Sequence, residues 1–138
     1  MEERLFFSPS QVNALIPTLG PILERIRSKY LELGLERQSI VAEFRPSSEI
    51  KWPSYSSTSY IERELRASIL ELESKGCLLK DVIQGLVDFR AMRLGEEVLI
   101  CWKLDEPRAM FWHGVSEGFA GRLPIIPDEF ISSEPEPD

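Results

Sequence analysis

The sequence has few of the residues that build thiolate metal sites or disulfide frameworks. It contains only two cysteines, Cys77 and Cys101, and a single histidine, His113. The cysteines lie far apart and outside any Cys-X-X-Cys motif, so the ligands of a thiolate zinc site are missing. We expect two buried free thiols, because a reducing cytosol disfavours a disulfide between them. The sequence does not identify a cofactor, which is left unknown.

The chain also lacks an excess of basic residues and any long apolar run. Its 138 residues include 16 Lys and Arg against 23 Asp and Glu, a formal net charge of -7. Affinity for nucleic acid comes largely from Lys and Arg that neutralise phosphates, so this balance argues against a nucleic-acid partner. No stretch approaches the roughly 20 apolar residues that span a bilayer, and the N-terminus is unlike a signal peptide. We therefore expect a cytoplasmic protein that does not bind membranes.

What the sequence does contain is, first, a long amphipathic helix with a clear start. Ser8 and Gln11 have the spacing of a capping box, and Pro9 suits the first helical position. Apolar residues then recur every three or four positions from Val12 to Leu33, which is the spacing of one helical face. These features predict one helix through this whole stretch.

Two prolines, Pro17 and Pro21, lie inside that helix. Each lacks a backbone donor and crowds the carbonyl four residues earlier, so we expect a kink there. A second, shorter helix should follow a capping box formed by Ser59 and Glu62 and end near Gly76. Because both helices have a single apolar face, they are expected to pack as an antiparallel hairpin.

Beyond the second helix the apolar period changes to two, which predicts short strands joined by tight turns. The candidate strands are residues 77–81, 85–92, 96–104 and 108–115. The third has apolar residues on both faces and should be central. An N-terminal helix hairpin packed on a C-terminal antiparallel meander of three to four strands is an α+β fold.

The chain is predicted to form a single α+β domain over residues 1–130. Residues 45–59 are rich in Ser and Pro and have no period of either kind, which favours a flexible loop. Residues 131–138 are acidic and contain prolines, and we expect them to form a disordered tail.

Four stretches occur together in this chain: FSPSQVNALIP, GCLLKDVIQGLVDF, EEVLICWKLDEP and FWHGVSEGFAGRLP. In combination they resemble a small family of prokaryotic proteins that is catalogued as a conserved domain of unknown function. The likeness covers most of the chain outside the 45–59 loop and the acidic tail. It implies a cytoplasmic bacterial or archaeal protein. It implies no activity, so function has to be argued from the residues.

The candidate site is built around the only histidine. His113 falls near the end of a predicted strand and before a glycine-containing loop, where a catalytic base or metal ligand is both held and accessible. Gly118 and Gly121 in that loop permit an anion-binding nest of backbone amides. Arg122 can then clamp a carboxylate or phosphate through two hydrogen bonds.

Three further residues complete the predicted site. Asp88 and Asp81, in the first two strands, are expected to orient His113 or to act as weak metal ligands. Asn13 either bonds backbone groups that the helix kink frees or points into a ligand site, and the structural role is favoured. We predict His113 as the base and Arg122 as the anion clamp, without assigning a metal site.

The same residues also fit a purely structural arrangement. Arg122 would pair with Asp88 and hold the last loop on the sheet, and His113 would bond a backbone carbonyl. Cys101 is the nearest candidate nucleophile, but a thiol in a central apolar strand loses reactivity. The first functional hypothesis is therefore a non-catalytic module that self-associates, as a homodimer for example, or binds another protein. The alternative is a small-anion-binding protein or enzyme at His113 and the Gly118–Arg122 loop, with a metal-assisted variant left open.

Overall fold

The computed structural model describes residues 6–36 and 60–131. Within these residues two α-helices precede a sheet, as predicted: α1 spans Pro9–Glu36 and α2 spans Tyr60–Glu73. Six strands follow. They are β1 Cys77–Asp81, β2 Leu86–Arg93, β3 Glu96–Lys103, β4 Phe111–Gly114, β5 Leu123–Pro124 and β6 Phe130–Ile131.

The sheet is antiparallel with the strand order β1-β2-β3-β4-β5, and β6 pairs with the end of β2. The predicted meander is confirmed for the four longer strands, but the strand number was too low. The structure adds β5 and β6, which are only two residues long and therefore show no period in the sequence. Ile131 of β6, the first residue of the predicted tail, pairs with Met92 of β2. The predicted 45–59 loop and residues 132–138 lie outside the described residues.

The start of α1 is formed by the predicted capping box. The Ser8 amide donates to Gln11 Oε1 at 2.9 Å, and the Gln11 amide donates to Ser8 Oγ at 3.2 Å. These two bonds satisfy donors that the first turn of a helix otherwise leaves free. The helix then continues through Pro17 and Pro21, both of which are exposed.

The two helices run antiparallel, as polar contacts between them show. Arg25 Nε donates to Ser68 Oγ at 3.0 Å, while Lys29 Nζ lies 2.7 Å from Glu64 Oε1. A later residue of α1 therefore meets an earlier residue of α2. Within the described residues, neither helix combines the length and the apolar character needed to cross a membrane.

The apolar sides of both helices pack against one face of the sheet. That face carries alternate strand residues such as Val87, Phe89, Ile100 and Trp102, all of which are almost fully buried. From the helices, the same cluster contains residues that the sequence pattern predicted to be apolar and inward. They are Val12, Leu19, Ile22, Leu23, Ile26, Tyr30, Leu33, Leu65 and Leu72.

The other face of the sheet, which we call the second face, carries the remaining alternate residues. Its strand register places Asp88 opposite Cys101, Cys101 opposite Phe111, and Leu99 opposite His113. β3 is central, as predicted, and Cys101 is fully buried. The apolar sides of α1 and α2 pack on the opposite face, so the polar residues of the second face are the candidates for a site.

Candidate functional site

Three potential metal ligands meet on three neighbouring strands of the second face. Asp88 comes from β2, Cys101 from β3 and His113 from β4, and all three are buried. Their ligand atoms, a carboxylate oxygen, the thiol sulfur and an imidazole nitrogen, all lie within 4.8 Å of one another. His113 Nε2 is 3.2 Å from Asp88 Oδ1. We refer to these three residues as the Asp–Cys–His cluster.

The hydrogen bonds of His113 define which nitrogen faces the cluster. Nδ1 lies 2.9 Å from the Gly114 carbonyl oxygen. A carbonyl only accepts, so Nδ1 must carry a hydrogen and donate it. In a neutral imidazole Nε2 then has no hydrogen, and its lone pair points at the carboxylate of Asp88. Two acceptors facing each other in a buried place require either a shared proton or a cation between them.

The Cys101 thiol lies in the same low-dielectric environment. Burial and the charge of Asp88 together raise its pKa to about 12, although the Arg122 guanidinium opposes the rise. Burial likewise raises the pKa of Cys77 to about 12. Both cysteines are free and buried, as expected from the sequence. At neutral pH each is a protonated and therefore weakly reactive thiol.

A cavity of about 480 Å³ lies directly over the cluster on the second face. Asp88 and His113 contribute to its floor, and the loop after β4 forms one wall. Its charged lining residues are three carboxylates, those of Asp81, Asp88 and Glu117, and one ammonium, that of Lys80. The cavity is therefore acidic on balance, which favours a cation over an anion.

The loop after β4 holds His113 in its orientation. Glu117 Oε1 accepts a hydrogen bond from the Gly114 amide at 3.1 Å, and the Glu117 amide donates to the Gly114 carbonyl at 3.0 Å. The same carbonyl accepts from His113 Nδ1. Glu117 and Gly114 thus form the backbone environment that keeps Nε2 directed at the cluster, an arrangement typical of supported metal ligands.

Arg122 occupies a different place from the one predicted. Its Nη2 lies 2.8 Å from Glu106 Oε1 and 2.7 Å from Oε2, so its partner is Glu106 and the predicted pairing with Asp88 is wrong. The guanidinium is also sandwiched between the rings of Phe111 and Phe119, at 4.2 and 4.4 Å from their centroids. Arg122 is not among the residues that line the cavity. Arg122 directly precedes β5 and there meets Glu106 of the β3–β4 connection.

Two of the other predicted ligand-binding residues line the cavity and two do not. Gly118 and Asp81 do, although both Asp81 oxygens accept hydrogen bonds from Gln84, each at 3.0 Å. Gly121 lies outside the lining, and Asn13 Oδ1 accepts from the Ala109 amide at 2.7 Å. Asn13 therefore fastens α1 to the β3–β4 connection, a structural role of the kind favoured from the sequence.

The predicted glycine nest is not supported by the backbone. A nest requires a residue in the left-handed region, and among the described glycines only Gly76, Gly85 and Gly95 have positive φ. Gly118 is extended, with φ of -106° and ψ of -161°. The loop around His113 is therefore a support for that side chain and does not present the amides of an anion nest.

Cys101 is the site residue that sequence reasoning missed as a partner of His113 and Asp88. The signal that could have found it is the strand register. If the tight turn after Arg93 sets the pairing of β2 with β3, then Asp88 falls opposite Cys101. Both residues alternate away from the buried aromatic positions Phe89 and Trp102, so they share the second face.

The fold and site together define an α+β protein with a helix hairpin on one sheet face and a buried Asp–Cys–His cluster under a cavity on the other. The sequence profile of the uncharacterized conserved protein family DUF2203 matches residues 5–125. The chain therefore belongs to this family, in agreement with the resemblance noted from its motifs. Comparisons with curated proteins and with solved structures gave no match.

Proposed function

We propose that this protein binds a divalent transition metal ion of the zinc class through Asp88, Cys101 and His113. The observation that carries the proposal is the convergence of three buried ligand atoms of different chemistry within 4.8 Å. Zinc accepts this mixture of carboxylate, thiolate and imidazole, which Mg²⁺ and Ca²⁺ do not. This proposal develops the metal-assisted variant that the sequence left open, and it adds Cys101 as a ligand.

The electrostatics of the cluster are compatible with a bound cation. Asp88 is buried against His113, whose Nδ1 hydrogen goes to a backbone carbonyl, so either a proton on Nε2 or a cation has to face the carboxylate. Burying a carboxylate without compensation is costly, and a divalent ion supplies that compensation. The Gly114 carbonyl then has the role that backbone acceptors commonly have at the second nitrogen of a ligating histidine.

The distances are compatible with tetrahedral coordination. With metal–ligand bonds of about 2.0 to 2.3 Å, ligand atoms on a tetrahedral ion stand about 3.3 to 3.8 Å apart. The Nε2 to Oδ1 distance of 3.2 Å lies just below this range. No pair of ligand atoms is separated by more than 4.8 Å. Bringing a pair of ligand atoms from that upper limit to tetrahedral spacing requires a movement of no more than about 1.5 Å.

Metal reconstitution of the full-length protein tests the proposal. The reduced protein is stripped with a chelator, loaded with Zn²⁺ or Co²⁺, and analysed for bound metal and for cobalt absorption. We expect one ion per chain and a thiolate-to-cobalt charge-transfer band. Cys101→Ala should abolish the band and, like His113→Ala, weaken binding by about a hundredfold or more, because each removes a ligand.

Cys77→Ala is the matched control, since it removes the other buried free thiol. Cys77 Sγ donates to the Leu72 carbonyl at 3.5 Å and belongs to the face packed by the helices. This variant should bind cobalt with wild-type affinity. A wild-type protein that stays metal-free after reconstitution, or a Cys101→Ala protein that binds as tightly as wild type, contradicts the proposal.

Self-association, the first hypothesis from the sequence, is supported by one feature of the surface and is a second proposal. Large apolar side chains are exposed along residues 115–131, and the exposed fractions are 48% for Leu123 and 55% for Ile126. Exposed apolar side chains concentrated in one segment are typical of contact surfaces. A partner protein and a cytoplasmic location likewise remain predictions.

We expect light scattering to show a dimer at micromolar concentrations if a second copy covers this segment. Leu123→Glu combined with Ile126→Glu should convert it to a monomer, because burying two carboxylates in an apolar contact is unfavourable. Glu substitutions at Leu31 and Leu70, which are exposed on the helices, serve as the control. A wild-type monomer throughout the concentration range contradicts the proposal.

A further inference from the structure

We infer that the metal site is of the open, catalytic kind: its fourth coordination position faces the cavity and takes an oxygen-donor ligand from solution. The ligand class is a small molecule that presents a carbonyl or hydroxamate oxygen on an apolar body, with water in its place at rest. This inference rests on the proposed metal binding and adds what the ion would do there.

The cluster has too few protein ligands to close a metal site. Among residues 6–36 and 60–131, the side chains that could hold an ion together number three, whereas a closed structural zinc site uses four. Three protein ligands and one exchangeable position are the arrangement of catalytic zinc sites. The cluster therefore has the ligand number of a site in which the metal ion also binds a ligand from solution.

The carboxylates near the cluster already accept hydrogen bonds from other groups. Asp81 lines the cavity, but both of its oxygens accept hydrogen bonds from Gln84. Glu117 also lines the cavity, and its Oε1 accepts from the Gly114 amide. Moving Glu117 onto the ion would remove the backbone support of His113, because the Gly114 carbonyl orients that ring. Neither carboxylate is therefore a natural fourth ligand.

The cluster borders the cavity on one side only. Asp88 and His113 belong to the cavity lining, whereas Cys101 is fully buried beneath them. An ion held by the three residues consequently has protein behind it and the cavity in front. A volume of about 480 Å³ is in the range of small-molecule sites.

The cavity walls indicate the kind of molecule. Apolar side chains from Leu86, Leu99 and Phe119 line it next to the polar groups of Gln84 and Ser116. The lining holds more carboxylates than ammonium groups, which disfavours a multiply charged anion. A neutral or weakly acidic oxygen donor with an apolar body fits both properties. A metal ion at this position polarises a carbonyl or lowers the pKa of bound water.

Titration of the cobalt-loaded protein with acetohydroxamate tests the inference. We expect a saturable change in the visible cobalt absorption while the thiolate charge-transfer band persists, since the probe adds to the ion without removing it. Ser116→Trp, which places a large side chain in the cavity wall, should weaken probe binding by roughly tenfold or more. Glu96→Trp, an exposed residue outside the lining, should leave it unchanged.

The outcomes separate the two proposals. Cobalt that binds but shows no spectral change with acetohydroxamate means a closed site, and overturns this inference while the metal proposal stands. Loss of the charge-transfer band on titration means that the probe strips the ion, and also overturns it. Equal probe affinity in Ser116→Trp and wild type would show that acetohydroxamate does not bind in the cavity, and it overturns the inference. Failure of cobalt to bind at all overturns both proposals.

Discussion

Arg122→Ala should lower the free energy of unfolding by about 3 kcal/mol, because it leaves the nearly buried carboxylate of Glu106 without its cationic partner. The side chains of Arg122 and Glu106 are only 12% and 9% exposed, and the guanidinium contacts both carboxylate oxygens. Its stacking between Phe111 and Phe119 is lost as well. For a domain of this size, the melting temperature should fall by about 10 °C.

Urea unfolding at neutral pH measures this effect, with Arg108→Ala as the control because Arg108 is an exposed arginine of the same β3–β4 connection. Adding Glu106→Gln to Arg122→Ala should restore part of the loss, since it removes the unpaired charge. Equal stability of Arg122→Ala and wild type would show that the ion pair does not hold the last loop. Retained cobalt binding in Arg122→Ala is expected, because Arg122 contributes no metal ligand.

Gly76→Ala should also destabilise the protein by about 3 kcal/mol, through two separate effects. Gly76 has φ of +108°, a conformation that residues with a Cβ rarely adopt. An added Cβ would in addition lie 2.4 Å from Cζ of Phe7. The Phe7 ring packs edge-to-face on Phe89, with 5.0 Å between centroids, so it has little room to move.

Gly95→Ala separates backbone strain from the clash. Gly95 also has positive φ, at +84°, but beyond its chain neighbours no atom lies within 4 Å of the position that an added Cβ would take. We expect this control variant to lose about 1 to 2 kcal/mol, which is the cost of strain alone. Chemical denaturation of both variants gives the comparison. If Gly76→Ala is no less stable than Gly95→Ala, the clash with Phe7 adds nothing to the cost of a side chain at the turn between α2 and β1.

Much of the fold was predictable because it depends on short-range patterns. The capping box at Ser8 and Gln11 and the spacing of apolar residues from Val12 onward predicted α1 correctly. The change to a period of two after Gly76 predicted the four longer strands. β5 and β6 escaped prediction because pairs of residues have no measurable period, and they form only where β4 and β2 offer open backbone groups.

The candidate site was predictable in part. His113 and Asp88 were selected from the sequence, and the structure brings them to 3.2 Å. Arg122 was assigned the wrong partner, and Cys101 was set aside as a buried thiol in a central strand. Cys101 is buried, as predicted. It also lies beside Asp88 and His113, which belong to other strands, and the residues next to it in the sequence do not reveal this.

The sequence by itself determined the helix pair, the antiparallel sheet and the acidic character of the chain, since propensity, periodicity and charge act locally or add up over residues. Only the tertiary structure decided which side chains meet. Lateral neighbours in a sheet come from different strands, and a shift of register by one residue would turn Cys101 towards the helices. The turns between β2, β3 and β4 set that register, and with it the Asp–Cys–His cluster.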